Sequence, residues 1–262
     1  MTTETNATGK LPARIAASPT FDPSLPLDRI IDLCVRGGFQ SMEVMTSWAK
    51  ASLDLGRNAQ GYRAELAGHG IAVTSLHMPP VTKGDGASLR RALDSLQFAK
   101  ALGVEVAIYK SDSFEGYAWG AKPVLDLAEK LGIAIIIYNH SNSIIATVED
   151  YQNVLVAIDD GRVGILLEVG HFHAAGVDWR DALQTFGDRV KLVHFKDMRG
   201  AVPVPYGTGE INFAELFHTL ERAGYRGRFV LELEKVPSEQ VEDQLWQAVA
   251  VTRRAWDAAN AS

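Results

Sequence analysis

Gly164-Ile165-Leu166-Leu167-Glu168-Val169-Gly170-His171-Phe172-His173 is the stretch on which the reading of the fold turns. A short apolar run ends on a carboxylate, and a glycine and two histidines follow. An apolar run without polar alternation reads as a strand buried on both faces, the kind found in parallel sheets. In parallel α/β folds the functional groups collect beyond the C-terminal ends of the strands. Glu168 is therefore expected at a functional edge, with His171 and His173 on a polar loop beyond it.

The same pattern extends in both directions. Strands are expected at 14–18, 41–45, 71–78, 104–109, 133–138, 164–168, 190–195 and 229–233, each followed by a stretch of helical periodicity. Gly37, Gly70, Gly103, Gly132 and Gly224 close helices before the next strand. Eight strand-helix units predict a parallel sheet closed on itself, a single-domain (β/α)8 TIM barrel over residues 14–262. Residues 1–13 read as a polar, flexible tail. An open doubly wound sheet is the rival, but an early Gly-x-Gly-x-x-Gly turn is missing, which counts against a dinucleotide-binding version.

With 47% hydrophobic residues the chain can build a large core. Its net charge of −6 argues against nucleic acid or an anionic membrane as partner. Cys34 is the single cysteine, so no intrachain disulfide can form and a reducing, cytoplasmic setting is expected. The first ten residues show no signal-peptide pattern, and no apolar run approaches the roughly 18 residues of a membrane span.

Polar residues concentrate at the expected strand ends: Glu43, His77, Lys110, His140, Glu168, His194, Lys196, Glu232 and Glu234. Alternate residues of a barrel strand face its axis. Parity pairs Tyr138 with His140, Leu166 with Glu168, His194 with Lys196 and Glu232 with Glu234. Pointing inward together, Glu168, His194 and Glu232 would form a carboxylate–imidazole–carboxylate set suited to Mn²⁺, Mg²⁺ or Co²⁺, and also to Zn²⁺. Lys110 has two readings, neutralising Glu43 or meeting a substrate anion. Asp197 reads as a partner of backbone or of Lys196. The turn Tyr206-Gly207-Thr208-Gly209-Glu210 reads as a simple turn before a phosphate cradle. Trp48 and Trp119 read as packing residues or as aromatic walls.

Leu-Leu-Glu-Val-Gly-His at 166–171, Leu-Val-His-Phe-Lys-Asp-Met-Arg-Gly at 192–200, Tyr-Gly-Thr-Gly-Glu-Ile-Asn-Phe at 206–213 and Gly-Tyr-Arg-Gly-Arg-Phe-Val-Leu-Glu at 224–232 resemble the xylose isomerase-like TIM barrels, the sugar isomerase/epimerase superfamily. The resemblance covers essentially the whole chain. It implies a metal set of glutamate on strand five, aspartate on strand six, histidine on strand seven and glutamate on strand eight. His194 and Glu232 match that set, Glu168 stands where aspartate is usual, and Tyr138 stands where the first glutamate is usual. His171 matches a histidine that contacts substrate. A phenol cannot act as the missing carboxylate base without strong tuning, so the two-glutamate epimerisation of the family is in question. His140, on the same face, is a candidate replacement base.

The expected activity is divalent-metal-assisted isomerisation or epimerisation of a sugar-like polyhydroxy carbonyl compound, through an enediolate formed by α-proton abstraction. Glu232 and His140 are the catalytic candidates, Glu168, His194 and Glu232 the metal candidates, and His77, Lys110, Tyr138, His171 and Lys196 the substrate-binding candidates. A dehydratase or lyase acting on a cyclic or aryl-bearing substrate is the alternative, as is a metal-free binding or accessory subunit. The expected partner is a small sugar-like molecule, with no nucleic acid and no membrane; self-association is left open.

Overall fold

A computed structural model describes residues 9–261. Eight strands form one closed parallel barrel: β1 (Ile15–Ala17), β2 (Ser41–Met45), β3 (Ala72–His77), β4 (Val106–Ile108), β5 (Ala134–Tyr138), β6 (Gly164–Glu168), β7 (Val190–Phe195) and β8 (Arg228–Leu231). They follow chain order around the ring, and β1 closes it by pairing with both β2 and β8. Each strand is only three to six residues long. The expected TIM barrel is the observed one.

Two apolar layers hold this arrangement. Inside the barrel, Ala16, Ile108, Ile136, Leu166, Leu192 and Val230 pack together from six strands. A larger core lies between the outer strand faces and the helices, with residues such as Ile15, Leu167, Val193, Phe195 and Phe229 facing outward from the barrel. The inner layer sets the parity of everything above it. Two residues further along the same strands stand Ser18, Lys110, Tyr138, Glu168, His194 and Glu232, so the alternation rule that fills the barrel with apolar groups also rings its mouth with polar ones.

The chain after β6 is the main departure from expectation. It forms no loop: a short helix (Val169–Ala174) starts at once, and Glu168 caps it by accepting a 3.0 Å hydrogen bond from Gly170 N. Residues 198–203 make a two-stranded antiparallel ribbon, Met198–Arg199 with Val202–Pro203. Residues 1–8 of the expected tail lie outside the described residues. Leu11, further along, is 2% exposed, and its amide donates to Gly38 O at 2.8 Å, so this part of the chain belongs to the barrel.

Candidate active site

The C-terminal mouth opens into a cavity of about 510 Å³. All nine candidate residues line it: His77, Lys110, Tyr138, His140, Glu168, His171, His194, Lys196 and Glu232. Glu234, Met45, Phe21 and Trp48 complete much of the wall. Trp48 is 60% exposed at a backbone φ of 66°, which is uncommon for a bulky residue, so it stands in the mouth and not in the core. Trp119 does not line the cavity, and His173 lies outside it, 2.8 Å from Glu210 Oε2.

Lys196 is the hub. Its ammonium lies 2.8 Å from Glu168 Oε2, 2.8 Å from Glu232 Oε2 and 3.2 Å from His171 Nε2. These contacts use all three of its donors, and Glu234 Oε2 follows at 3.2 Å. The side chain reaches this point across Gly170, where an added Cβ would come within 2.6 Å of the Lys196 stem. Against burial, which would lower it, the surrounding carboxylates raise the Lys196 pKa, so the ammonium is fixed.

A second chain of contacts joins β7, β2 and β3. His194 Nε2 is 3.1 Å from Glu43 Oε2, and its Nδ1 is 3.1 Å from Glu232 Oε1. Both nitrogens face carboxylates, which suits an imidazolium donating twice. Against burial, Glu43 and Glu232 hold the His194 pKa well above the ordinary imidazole value. Glu43 is fully buried and also accepts from Ser75 Oγ at 2.8 Å and from His77 Nε2 at 2.9 Å. Against burial, His194 and His77 hold its pKa well below the carboxylate range. Glu43 was legible only as a strand-end charge; its place at the centre of this network follows from its inward parity on β2.

Glu168 and Glu232 share the Lys196 ammonium yet titrate apart. Burial, then the nearby Glu232 charge, raises Glu168 to about 7 against the pull of Lys196. Against burial, Lys196 and His194 hold Glu232 well below the ordinary value. Environments that push two carboxyls apart in this way separate an acid from a base. Supporting residues fix the strand ends: the Asn139 amide exchanges two 3.0 Å hydrogen bonds with the Glu168 backbone, and the Tyr206 hydroxyl sits 2.7 Å from Phe195 O and 2.9 Å from Glu232 O.

Several readings of the sequence change here. Lys110 makes no ion pair with Glu43. Asp197 does hydrogen-bond backbone, accepting from Gly207 N at 2.7 Å and Gly209 N at 2.9 Å. Those amides are therefore not a phosphate cradle. His140 lies against His171 with ring centroids 3.7 Å apart and planes tilted by 37°, and its Nδ1 accepts from Asn142 N at 3.2 Å. In the neutral ring this puts the proton on Nε2, so His140 offers a donor and not the expected basic lone pair. Burial, then the Lys196 charge, lowers the pKa of His140, and the same two causes lower His171 further.

Glu168, His194 and Glu232 bring ligand atoms within 4.8 Å of one another, as do Glu43, His77 and His194, so by spacing either group could hold a metal ion. Their bonding does not fit one. A cation between Glu168 and Glu232 would need the oxygens that Lys196 holds at 2.8 Å. Ligation by His194 would need a lone pair, while both its nitrogens face carboxylates as donors. Tyr138, on the adjacent strand, supplies no charge: burial and the Glu232 charge keep its phenol neutral. The ammonium already engages the two carboxylate oxygens a divalent ion would need.

The family model for xylose isomerase-like TIM barrels matches residues 31–255. The chain belongs to that family. Inosose dehydratase of Lacticaseibacillus casei is 25% identical over 151 residues, covering 50% of this chain and 50% of the relative. The chain thus spans about half the length of the curated relatives it matches. A xylose isomerase domain protein from Alicyclobacillus acidocaldarius superposes with a TM-score of 0.77 at 19% identity, covering 94% of this chain and 99% of that one. The IolI protein, solved with a bound zinc atom, superposes with a TM-score of 0.72 at 16% identity, covering 94% and 97%. Such identities speak for the fold alone. Among the described residues no helix is long and apolar enough to cross a membrane.

Proposed function

We propose that this barrel enolises a polyhydroxylated ketone and carries the enolate on to dehydration, using Lys196 as its cation. The observation that carries the reading is the Lys196 ammonium held 2.8 Å from both Glu168 and Glu232. Glu232, the ionised member, takes the proton α to the carbonyl. The negative charge that develops on the carbonyl oxygen is stabilised by the nearby charge of the Lys196 ammonium and accepts a hydrogen bond from the Nε2–H of His140. Glu168, poised near neutrality, gives its proton to the departing β-hydroxyl, which leaves as water. Acid and base sit on the same ammonium, an arrangement suited to elimination. Face-to-face epimerisation needs groups on opposite sides, and Tyr138 leaves one side without a carboxylate. The half-length likeness to inosose dehydratase points the same way.

Isomerisation is the second reading, favoured by the family: returning the proton to the neighbouring carbon would use the same pair. A divalent-metal version with Mn²⁺, Mg²⁺, Co²⁺ or Zn²⁺ draws on the 4.8 Å ligand spacing and the zinc-bound relative, and it requires Lys196 to move away first. The test is to incubate the chelator-treated protein with cyclic and open-chain polyhydroxy ketones in D₂O. Loss of the α-proton signal together with growing enone absorbance is expected. Solvent deuterium uptake with ketose–aldose exchange and no enone would select isomerisation; no exchange with any ketone, with or without added metal, would refute the proposal.

A further inference from the structure

Lys110 stands apart from every other charged group in the cavity. It extends from the end of β4, half-buried and facing the space that Glu168, Lys196 and Glu232 enclose from the other side. Among the described residues no hydrogen-bond acceptor or carboxylate reaches its ammonium, which lies 6.0 Å from the centroid of the Tyr138 ring. Glu43, the carboxylate whose charge it feels, is already bonded to Ser75, His77 and His194. In the ring of eight strands β4 lies diametrically opposite β8, which carries Glu232. The cavity therefore has two charged poles: a saturated one at β6–β8 and a single unpaired cation across from it.

We propose that Lys110 seats a carboxylate of the substrate, so that the molecule handled here is a hydroxy-keto acid anchored at β4 with its reacting carbons at the Lys196 pole. This rests on the enolisation reading for the reacting end, but the anion seat is a separate property. An unpartnered ammonium withdrawn from bulk water is costly to the fold, and an arriving carboxylate would offset that cost. Burial pushes its pKa down to about 8, against the pull of Glu43, so the charge is present at neutral pH but unsatisfied. A phosphate dianion asks for several donors, usually amides of a turn or helix start. The glycine-rich turn near this mouth has given its amides to Asp197, and His77 Nε2 faces Glu43. One ammonium matches one carboxylate.

Three probes of one carbon skeleton test this without turnover: D-gluconate, D-glucitol and D-glucitol 6-phosphate, titrated calorimetrically into the wild-type protein, Lys110→Met and Lys110→Arg. Gluconate is expected to bind at least about tenfold more tightly than glucitol, as one charge-assisted contact allows. The preference should vanish in Lys110→Met and survive in part in Lys110→Arg. Lys110→Met should also melt at a higher temperature than wild type, since it removes an unpaired, half-buried charge. Equal binding of gluconate and glucitol, a preference that survives in Lys110→Met, tighter binding of the phosphate ester, or a lower melting temperature for Lys110→Met would each overturn the assignment. Failure of α-proton exchange with intact gluconate preference would instead refute the enolisation reading alone.

Discussion

The two halves of the barrel mouth handle charge in opposite ways. From β6 to β8, Glu168, Lys196, Glu232 and His194 are bonded to one another until the Lys196 donors are spent. From β3 to β5 stand an unpaired Lys110, a neutral Tyr138 and a His77 whose pKa burial lowers. A preorganised, internally paired cluster suits chemistry, because its dipoles need not reorient as charge develops. A lone charge with no internal partner suits recognition. The largest expected effect breaks the first half: Glu232→Gln should lower kcat by about 10³-fold, the scale of a lost general base. α-Proton exchange in D₂O checks it, and near-wild-type exchange in this variant would move the base elsewhere.

Removing the hub comes next. Lys196→Met leaves Glu168 and Glu232 facing each other without their counter-charge, and a broken buried pair of this kind destabilises by about 3–5 kcal/mol. Urea denaturation measures that loss. The same variant is expected to take up Mn²⁺ or Zn²⁺ stoichiometrically while the wild type does not, as read by elemental analysis after dialysis. Wild type that retains one equivalent of metal through dialysis would show that the ammonium yields to the ion, and the contrast between the two halves would need redrawing.

Titration sharpens the comparison. Burial holds Glu168 at about 7, above its ordinary 4.5, so the fold favours its protonated form. Its contribution to stability is complete below the ordinary value and is lost as pH rises through about 7. Activity that needs its proton should fall about tenfold per pH unit above that point. Glu168→Gln should abolish this alkaline limb along with most of the rate. A wild-type profile flat from pH 6 to 9 would remove Glu168 as the acid.

Much of this is legible in the sequence. The bounds of β6 and β7 follow from apolar runs bracketed by polar residues, and strand parity alone brings Glu168, His194 and Glu232 to one mouth. The helix over Phe114–Leu131 is harder to bound from sequence, because Gly116, Gly120 and Pro123 mimic a break. Gly120 is there because the Tyr109 hydroxyl occupies the space a Cβ would take. The short helix Val169–Ala174 is hidden for another reason: six residues are too few to show periodicity, and its cap is the side chain of Glu168 itself. Least legible was the pairing of Lys196 with residues 25 to 36 positions away. Parity predicts that these groups meet, but it does not say which of them bond, and that choice decides whether a site is open to a metal or already filled.

The smallest effect is expected at Tyr138, on the border between the two halves. The family resemblance implies a carboxylate at this position, yet the phenol stays neutral and its hydroxyl makes no hydrogen bond among the described residues. Its ring lies 6.1 Å from that of His77 and 6.0 Å from the Lys110 ammonium, so it acts as a wall between the charged poles. Tyr138→Phe keeps that wall and leaves no polar partner stranded, so stability and ln kcat should shift by no more than about 0.5 kcal/mol equivalent. Steady-state rates and thermal melts of this variant check it. A loss of tenfold or more would make the phenol hydroxyl a participant in proton transfer, and the uncharged side of the mouth would then belong to the chemistry as well as to recognition.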